Sequence, residues 1–516
     1  MEVTLLKEAM RVNEAMQEKA SDVTVQGDVI VPDTAPDILK ILQIDGRATI
    51  TGRERQGDKL VCTGVASFCV LYIPEEDEMG APVRSLHTEM TFKDVCSTDG
   101  DAENLRGAVS AELSRIESML LNSRKLSIKA TVHLTIHQWK QAETDFVTGA
   151  TADTELAMRM RKIHMQNTLS DGEFTVTAAD TLEVPAEKPA VGEILKMDGV
   201  VVGQEVRVIT NKAIAKGVIR LATLYLSAGP SPSVQFMEHD LPFTEILDMP
   251  GAAEGMDCTV DYDIDKIYYE TDDEGDGARH VGAEVTMTLR GEATQNVEME
   301  ILEDCYAPNY DTKLSRRPCR TDAIVDSIRE QLAAKKSLSL PSECPPIAQV
   351  YNVVGRPQVK TVEIHNGTVE VTGVAEVYVL YLTDDSDMPL FCYRDTVPFT
   401  FAAGTQADDT AIPSCRVTLL GCFYSLSSSG AVDLRINLDI CLRLCAEESV
   451  ETIENITIEE DTAEKRPSVV IAFVGDGDSL WNIAKKYRTT TAKIAAANGL
   501  EESDTVPAGT KLLIPR

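Results

Sequence analysis

The run VKTVEIHNGTVEVTGVAEVYVLYL, residues 359–382, alternates β-branched with polar side chains on both sides of Asn366-Gly367. A period of two puts successive side chains on opposite faces of a strand, and Asn-Gly accepts the positive φ that a two-residue hairpin turn requires. The stretch therefore predicts a hairpin whose second strand carries Gly373 and ends near Tyr381. Upstream of it stand Pro341, Pro345 and Gly355, and the same five anchors occur twice earlier in the chain. They are Pro32, Pro36, Gly46, Gly64 and Tyr72 in one copy and Pro185, Pro189, Gly199, Gly217 and Tyr225 in the other; the intervals are 4, 10, 18 and 8 each time. Such spacing defines an internal repeat.

The flanks agree. Leu71, Leu224 and Leu380 precede the tyrosines, and Phe92, Phe243 and Phe399 close a short strand about twenty residues on. Each copy ends in another alternating run, LSIKATVHLTI, VGAEVTMTLRG or VDLRINLDICLRL. The fold class is mainly β: three tandem β-rich units, sandwich- or barrel-like, followed by a small βααβ unit. The prolines punctuate strand edges because proline has no ladder N–H. Gly64, Gly217 and Gly373, inside strand-like runs, predict a bulge or bend where the sheet curls.

Helix is expected in two places. Residues 321–336, TDAIVDSIREQLAAKK, space Ile324, Ile328 and Leu332 four apart and end on Lys335 and Lys336; residues 1–22 are read as an N-terminal helical segment. The organisation is then repeat 1 at 23–145, repeat 2 at 165–303, a linker at 306–320, helix plus repeat 3 at 321–446, an acidic linker at 447–467 and the small unit at 468–516.

With 516 residues, 43% of them apolar and 26% charged, the composition is that of a multidomain globular chain. A net charge of −34 excludes a phosphate backbone as a natural partner. The opening residues carry charges throughout and lack the apolar core of a secretion signal, and no run reaches the roughly 20 apolar residues of a spanning helix. The expectation is a cytoplasmic protein whose twelve cysteines are reduced.

In the last unit, FVGDGDSLWNIAKKYRTTTAKIAAANGL (473–500) begins with a strand end and a capping turn at Asp478-Ser479. Leu480, Ile483, Ala484 and Tyr487 then make one helical apolar face, and a second helix ends at Asn498-Gly499. The closing strand lies in VPAGTKLLIP, 506–515. At these residues the sequence resembles the LysM family, whose pattern runs V-x-x-G-D-S-L-W-x-I-A, Y-x-T-T, N-G-L and P-x-G-x-x-L-x-I-P. The one departure is Asp476, where the family commonly has proline. The resemblance implies recognition of N-acetylglucosamine-containing glycans, or of a partner, by two loops: Gly477, Asp478, Ser479 and Leu480 in one, Asn498, Gly499 and Leu500 in the other. Lys485 and Lys486, off the apolar stripe of a unit far less acidic than the rest, are expected to face solvent and hold an acidic partner.

The repeats followed by such a unit resemble the SPOCS-domain proteins of endospore-forming Firmicutes, the SipL-type coat morphogenetic proteins in particular. That likeness implies a non-enzymatic scaffold in the mother cell, recruited to the forespore surface, which binds a SpoIVA-type coat ATPase. Its alternative is an anchor to peptidoglycan or its precursors.

Catalytic and metal motifs are missing from the sequence: it has no G-x-S-x-G, S-x-x-K, H-E-x-x-H or phosphate-binding loop, and no cofactor is expected. His133 and His137 alternate with apolar residues and are read as a solvent-facing pair. Asp272, Glu274, Asp276 and Gly277 match the first half of a calcium loop, but Ala283 stands where the bidentate glutamate belongs, so a hairpin tip is expected.

Overall fold

The computed structural model describes residues 2–15, 19–57, 59–78, 80–97, 105–272, 277–383, 390–427, 431–460, 468–501 and 506–515. Its first three units are built alike. In the second, a meander of β9 (Val191–Ile209), β10 (Lys212–Ser227) and β11 (Val234–Asp248) faces a sheet of β8 (Ala157–Glu183), β13 (His280–Tyr306) and β12 (Asp257–Thr271), in the order β12-β13-β8. In the third, β15 (Ile347–His365), β16 (Thr368–Thr383) and β17 (Leu390–Gly404) form the meander, and β14 (Tyr310–Leu338), β19 (Val432–Glu460) and β18 (Ile412–Leu426) the other sheet. The first unit has β3 (Ile38–Gln56), β4 (Lys59–Pro74) and β5 (Arg84–Ser97) facing β7 (Lys125–Ala152) and β6 (Leu105–Asn122). Here the long outer partner is split: β2 (Lys19–Ile30) pairs with one half of β7 and β1 (Val3–Ala15) with the other.

Four of the five repeat anchors have a structural cause in their contacts with one another and with the facing strand. The first proline opens a turn closed by Ala35 N to Pro32 O, Lys188 N to Pro185 O and Cys344 N to Pro341 O, at 2.9, 2.9 and 3.0 Å. The tyrosine, 36 residues after the second proline, donates its hydroxyl to that proline's carbonyl: Tyr72 to Pro36, Tyr225 to Pro189 and Tyr381 to Pro345, at 3.1, 2.9 and 3.0 Å. A buried phenol needs such an acceptor, and the carbonyl at the turn supplies it. Gly64, Gly217 and Gly373 lie directly across the ladder from Phe92, Phe243 and Phe399. The phenyl ring covers the glycine in each pair, and the expected bulge lies next to it, as register shifts at Ile50/Gly52, Lys216/Val218 and Val359/Thr361. Asn366-Gly367 turns with φ of 51° and 73°.

Burial alternates along the strands as the sequence patterns do, and each unit closes its own core between the two sheets. The leucine before each tyrosine has a different task. Tyr72, Tyr225 and Tyr381 face their own cores, while Leu71, Leu224 and Leu380 point the other way into one cluster shared by all three units. Beside it lies a buried ionic group with one residue from each unit: Lys196 Nζ sits 2.5 Å from Asp45 Oδ2 and Arg356 also pairs with Asp45. Buried charges of this kind fix an arrangement more than they add stability.

Beyond the sandwiches the long strands continue as three two-stranded ribbons, β1 with β7, β8 with β13 and β14 with β19. The ribbons pack on one another through Met10, Phe146, Ile163, Met299, Ile301 and Val450, and farther out through Val147, Leu302, Ile453 and Ile456. The units are thus joined around a common bundle, with only a few residues between β7 and β8 and between β13 and β14.

Three sequence expectations are corrected. Residues 1–22 hold no helix among the described residues but β1 and the start of β2; the helix-forming side chains are overruled by pairing with β7. Residues 321–336 belong to β14, not a helix. A spacing of four fits a strand as well as a helix, and Ile328, Leu332, Ala334 and Leu338 line the third core at period two. Residues 310–320 and 447–460, read as linkers, are ribbon strands paired with each other. The rest of the acidic stretch, 461–467, lies outside the described residues, as does the tip 273–276 of the calcium-loop match.

Candidate functional site

The last unit is a two-stranded sheet of β20 (Val469–Phe473) and β21 (Lys511–Pro515) under two helices, α1 (Leu480–Tyr487) and α2 (Thr491–Asn498). Ala472, Leu512 and Ile514 on the inner face meet Leu480, Ile483, Ala484 and Ile494. Ser479 caps α1 by accepting from Asn482 N at 3.2 Å, and Thr490 caps α2 by accepting from Lys493 N at 3.2 Å. Gly499, at φ 64°, ends α2 in the left-handed conformation.

The two expected loops are formed, but much of their polar capacity is spent internally. Leu480 is buried in the core. The Asp478 carboxylate accepts from Gly475 N at 2.9 Å, across a turn in which Gly477 has φ 81°. Asn498 donates to Ile494 O and Leu513 O, both at 2.7 Å, and accepts from Leu513 N at 2.8 Å, so it latches the second loop to β21. Gly477, Asp478, Ser479 and Gly499 are exposed and Leu500 is half-buried.

Lys485 and Lys486 diverge. Lys486 is exposed and lies 5.8 Å from the centre of the Tyr487 ring. Lys485 does not face solvent as the sequence reading held: its ammonium sits 2.5 Å from Asp304 Oδ1. The apolar spacing along α1 cannot reveal this, because the acceptor comes from β13. Asp304 also accepts from Trp481 Nε1 at 2.8 Å and from the Arg316 guanidinium at 3.1 Å. Burial pushes the Asp304 carboxyl up, but hydrogen bonds from Lys485 and Trp481 and the charges of Lys485 and Arg316 outweigh it and hold the group below the usual 3.8.

A feature the motif did not single out is the outer face of the small sheet. Val469, Ile471 and Phe473 alternate outward on β20, 55, 53 and 70% exposed, and Leu513 stands opposite Ile471 at 42%. The signal was present in SVVIAFV, which is apolar at every position after the serine and so cannot hide both faces under one helix layer.

Elsewhere, His133 Nδ1 lies 2.7 Å from the Asp22 carboxylate, on the ladder between β2 and β7; the His137 side chain is outside the described ones. Among the described residues no group of three His, Cys, Asp or Glu is placed to hold a metal ion, and no helix is long and apolar enough to cross a membrane. The cysteines are free thiols; burial pushes Cys69, Cys96 and Cys422 up to about 12.

Comparison with known protein families matches the SipL, SPOCS domain family at residues 37–121, 190–272 and 346–418 and the LysM domain family at residues 474–515. No curated protein and no solved structure matches the chain. The three matched segments coincide with β3 to β6, β9 to β12 and β15 to β18, and the fourth with the helical unit.

Proposed function

We propose, from the premise that this chain belongs to the SipL SPOCS-domain proteins and carries a LysM domain after its third repeat, that it is a non-enzymatic scaffold for spore coat assembly. In this reading it works in the mother cell at the forespore surface, and its LysM domain and repeats dock onto a SpoIVA-type coat ATPase. Both domain families are non-catalytic, and the SPOCS and LysM combination fits a sporulation coat-associated protein with peptidoglycan-binding potential.

The observation that carries the protein-docking reading is the outer LysM sheet face. Four large apolar side chains side by side on a 49-residue unit form the kind of exposed patch that marks a protein interface rather than a sugar groove with its ring of polar donors. Charge points the same way. The stretch 468–516 holds six basic and five acidic residues, in a chain of net −34, so it repels an acidic partner less than the chain as a whole does.

A glycan anchor is the alternative, and the exposed turn Gly477 to Ser479 is what favours it. Two experiments on purified components separate the readings. The full chain should retain a SpoIVA-type ATPase on an affinity resin while residues 1–467 retain far less. Calorimetric titration of the full chain with N-acetylglucosamine oligomers should give no binding heat. Retention by both chains alike, together with sugar binding, would reject docking through the LysM domain in favour of the anchor.

A further inference from the structure

The turn between β13 and β14, at the tip of the ribbon bundle, presents a surface that no requirement of the repeats themselves explains. Asp304 is 5% exposed, and two of its four donors come from α1, some 180 positions later in the chain, the other two being Arg316 and the neighbouring Cys305 N. Two positions on, Tyr306 meets Trp481 edge to face with ring centres 5.0 Å apart and belongs to the same apolar cluster as Leu480, Ile483 and Ile494. Arg159 of β8 lies over the indole ring, 5.5 Å from its centre. At the end of α1, Arg488 pairs with Asp311 at 3.2 Å and its carbonyl accepts from Asn309 N at 3.1 Å.

We infer that the ribbon tip is a docking site for the chain's own LysM domain, locked by Asp304, so that the domain is held as a fixed head rather than swinging on the 461–467 stretch. Three kinds of contact converge there: a body residue that completes the LysM core, an aromatic pair, and a buried carboxylate whose donors are divided between body and head. A carboxylate buried this deeply loses half of its donors, one of them the Lys485 ammonium, if the head leaves, so separation is opposed by charge as well as by apolar area. The docked arrangement has a functional consequence. Trp481, Lys485 and Arg488 face the body, whereas the sheet face of Val469, Ile471, Phe473 and Leu513 lies on the side of the LysM sheet away from the helices and stays exposed. A ligand that needs the indole must first displace the ribbon tip.

The inference concerns the head and its own body and stands whether or not the coat ATPase is the partner. It is tested by nitrogen-15 relaxation of the full chain, comparing amides of α1 and α2 with those of β10. In the native chain the helices should relax with the rotational correlation time of the whole 56.3 kDa chain. Lys485→Glu places a second carboxylate against Asp304 and should free the head, sharpening its amide lines several-fold while their dispersion, the mark of a folded domain, is kept. Lys485→Arg should leave the head docked, because a guanidinium can still donate to Asp304. Asp304→Asn, made from the body side, should loosen the head without touching its sequence. A native head that already tumbles independently would overturn the inference. So would a Lys485→Glu head that relaxes with the body, or a Lys485→Arg head as free as the glutamate variant.

Discussion

Adding one methyl group to Gly217 sets two opposed quantities against each other. A Cβ there would lie 2.8 Å from both Cε1 and Cζ of Phe243 and 3.4 Å from Val202 O. Carbon atoms in contact prefer about 3.5–4.0 Å, so the ring must retreat by about 1 Å. It is 6% exposed inside the second core, so its retreat must displace packed neighbours. Overpacking of this kind costs about 1–3 kcal/mol, while removing a strand glycine's backbone freedom returns about 0.5–1 kcal/mol. Gly217→Ala should therefore lose about 1–2 kcal/mol, and Gly217→Val, with two more methyl groups, about 3 kcal/mol. The first and third repeats should suffer more. There the added carbon meets the ring at 2.2 and 2.3 Å and, at 2.5 Å, the carbonyl oxygens of Thr49 and Gln358, which the ladder holds in place. The assay is urea unfolding combined with hydrogen exchange of the β10 amides, for Gly217→Ala, Phe243→Leu and the double variant. If the ring is the cause, the two substitutions couple by more than about 0.5 kcal/mol, with Phe243→Leu relieving part of the alanine's cost. Strict additivity, or an alanine variant as stable as the native chain, would refute the steric argument.

Other consequences can be measured separately. Tyr225→Phe removes the hydroxyl that reaches Pro189 O and should destabilise the second repeat by about 1 kcal/mol, read from the same exchange data. Ile483→Ala empties the centre of the LysM core and should cost about 2–5 kcal/mol, with the melting of α1 and α2 visible in their amide shifts. The Asp304 carboxyl is held below 3.8 in the fold, so its contribution is full above that value and is lost as pH falls through the depressed folded-state value. The basic side chains around it are Lys485 of α1, Arg316 of β14 and Arg159 of β8, and scattering at stepwise lower pH should show the head leaving the body only in acid below 3.8, never near neutrality. Native protein at pH 8 should label slowly with iodoacetamide at Cys69 and Cys422, whose thiols burial pushes up to about 12, and denatured protein should take up twelve equivalents.

The repeats were legible because their anchors are local and invariant in spacing. The Leu-Tyr pair, the two prolines and the glycine each do the same thing three times, and a hydroxyl that must cross 36 residues to a proline carbonyl leaves no freedom for insertion. What could not be read was anything that depends on a partner far away in the chain. Ile324, Ile328 and Leu332 satisfy helix and strand periods alike, and only pairing with β19 decides between them. The ribbons look like linkers because their apolar residues are thinly spaced, Val450, Ile453 and Ile456 among acidic neighbours, and gain burial only from the other two repeats. The LysM pattern located the loops and the caps correctly but gave Lys485 to solvent, since Asp304 belongs to another domain. The outer sheet face could have been found: five consecutive apolar positions in a strand with one covering layer must leave some of them bare.

Docking of a protein partner by the LysM domain through that bare face is the proposed function. Its most direct measurement is the affinity of the full chain for a purified SpoIVA-type ATPase, by calorimetry, with and without the double substitution Ile471→Ser and Phe473→Ser. Neither side chain enters the LysM core, so the domain stays folded, and its helix signals report this in the same sample. Two apolar anchors buried at an interface are worth about 1.5–3 kcal/mol each, so their loss should weaken binding at least 10-fold, at about 1.4 kcal/mol per factor of ten. An affinity unchanged by the double substitution would contradict the claim and return the contact to the Gly477 to Leu480 and Asn498 to Leu500 loops.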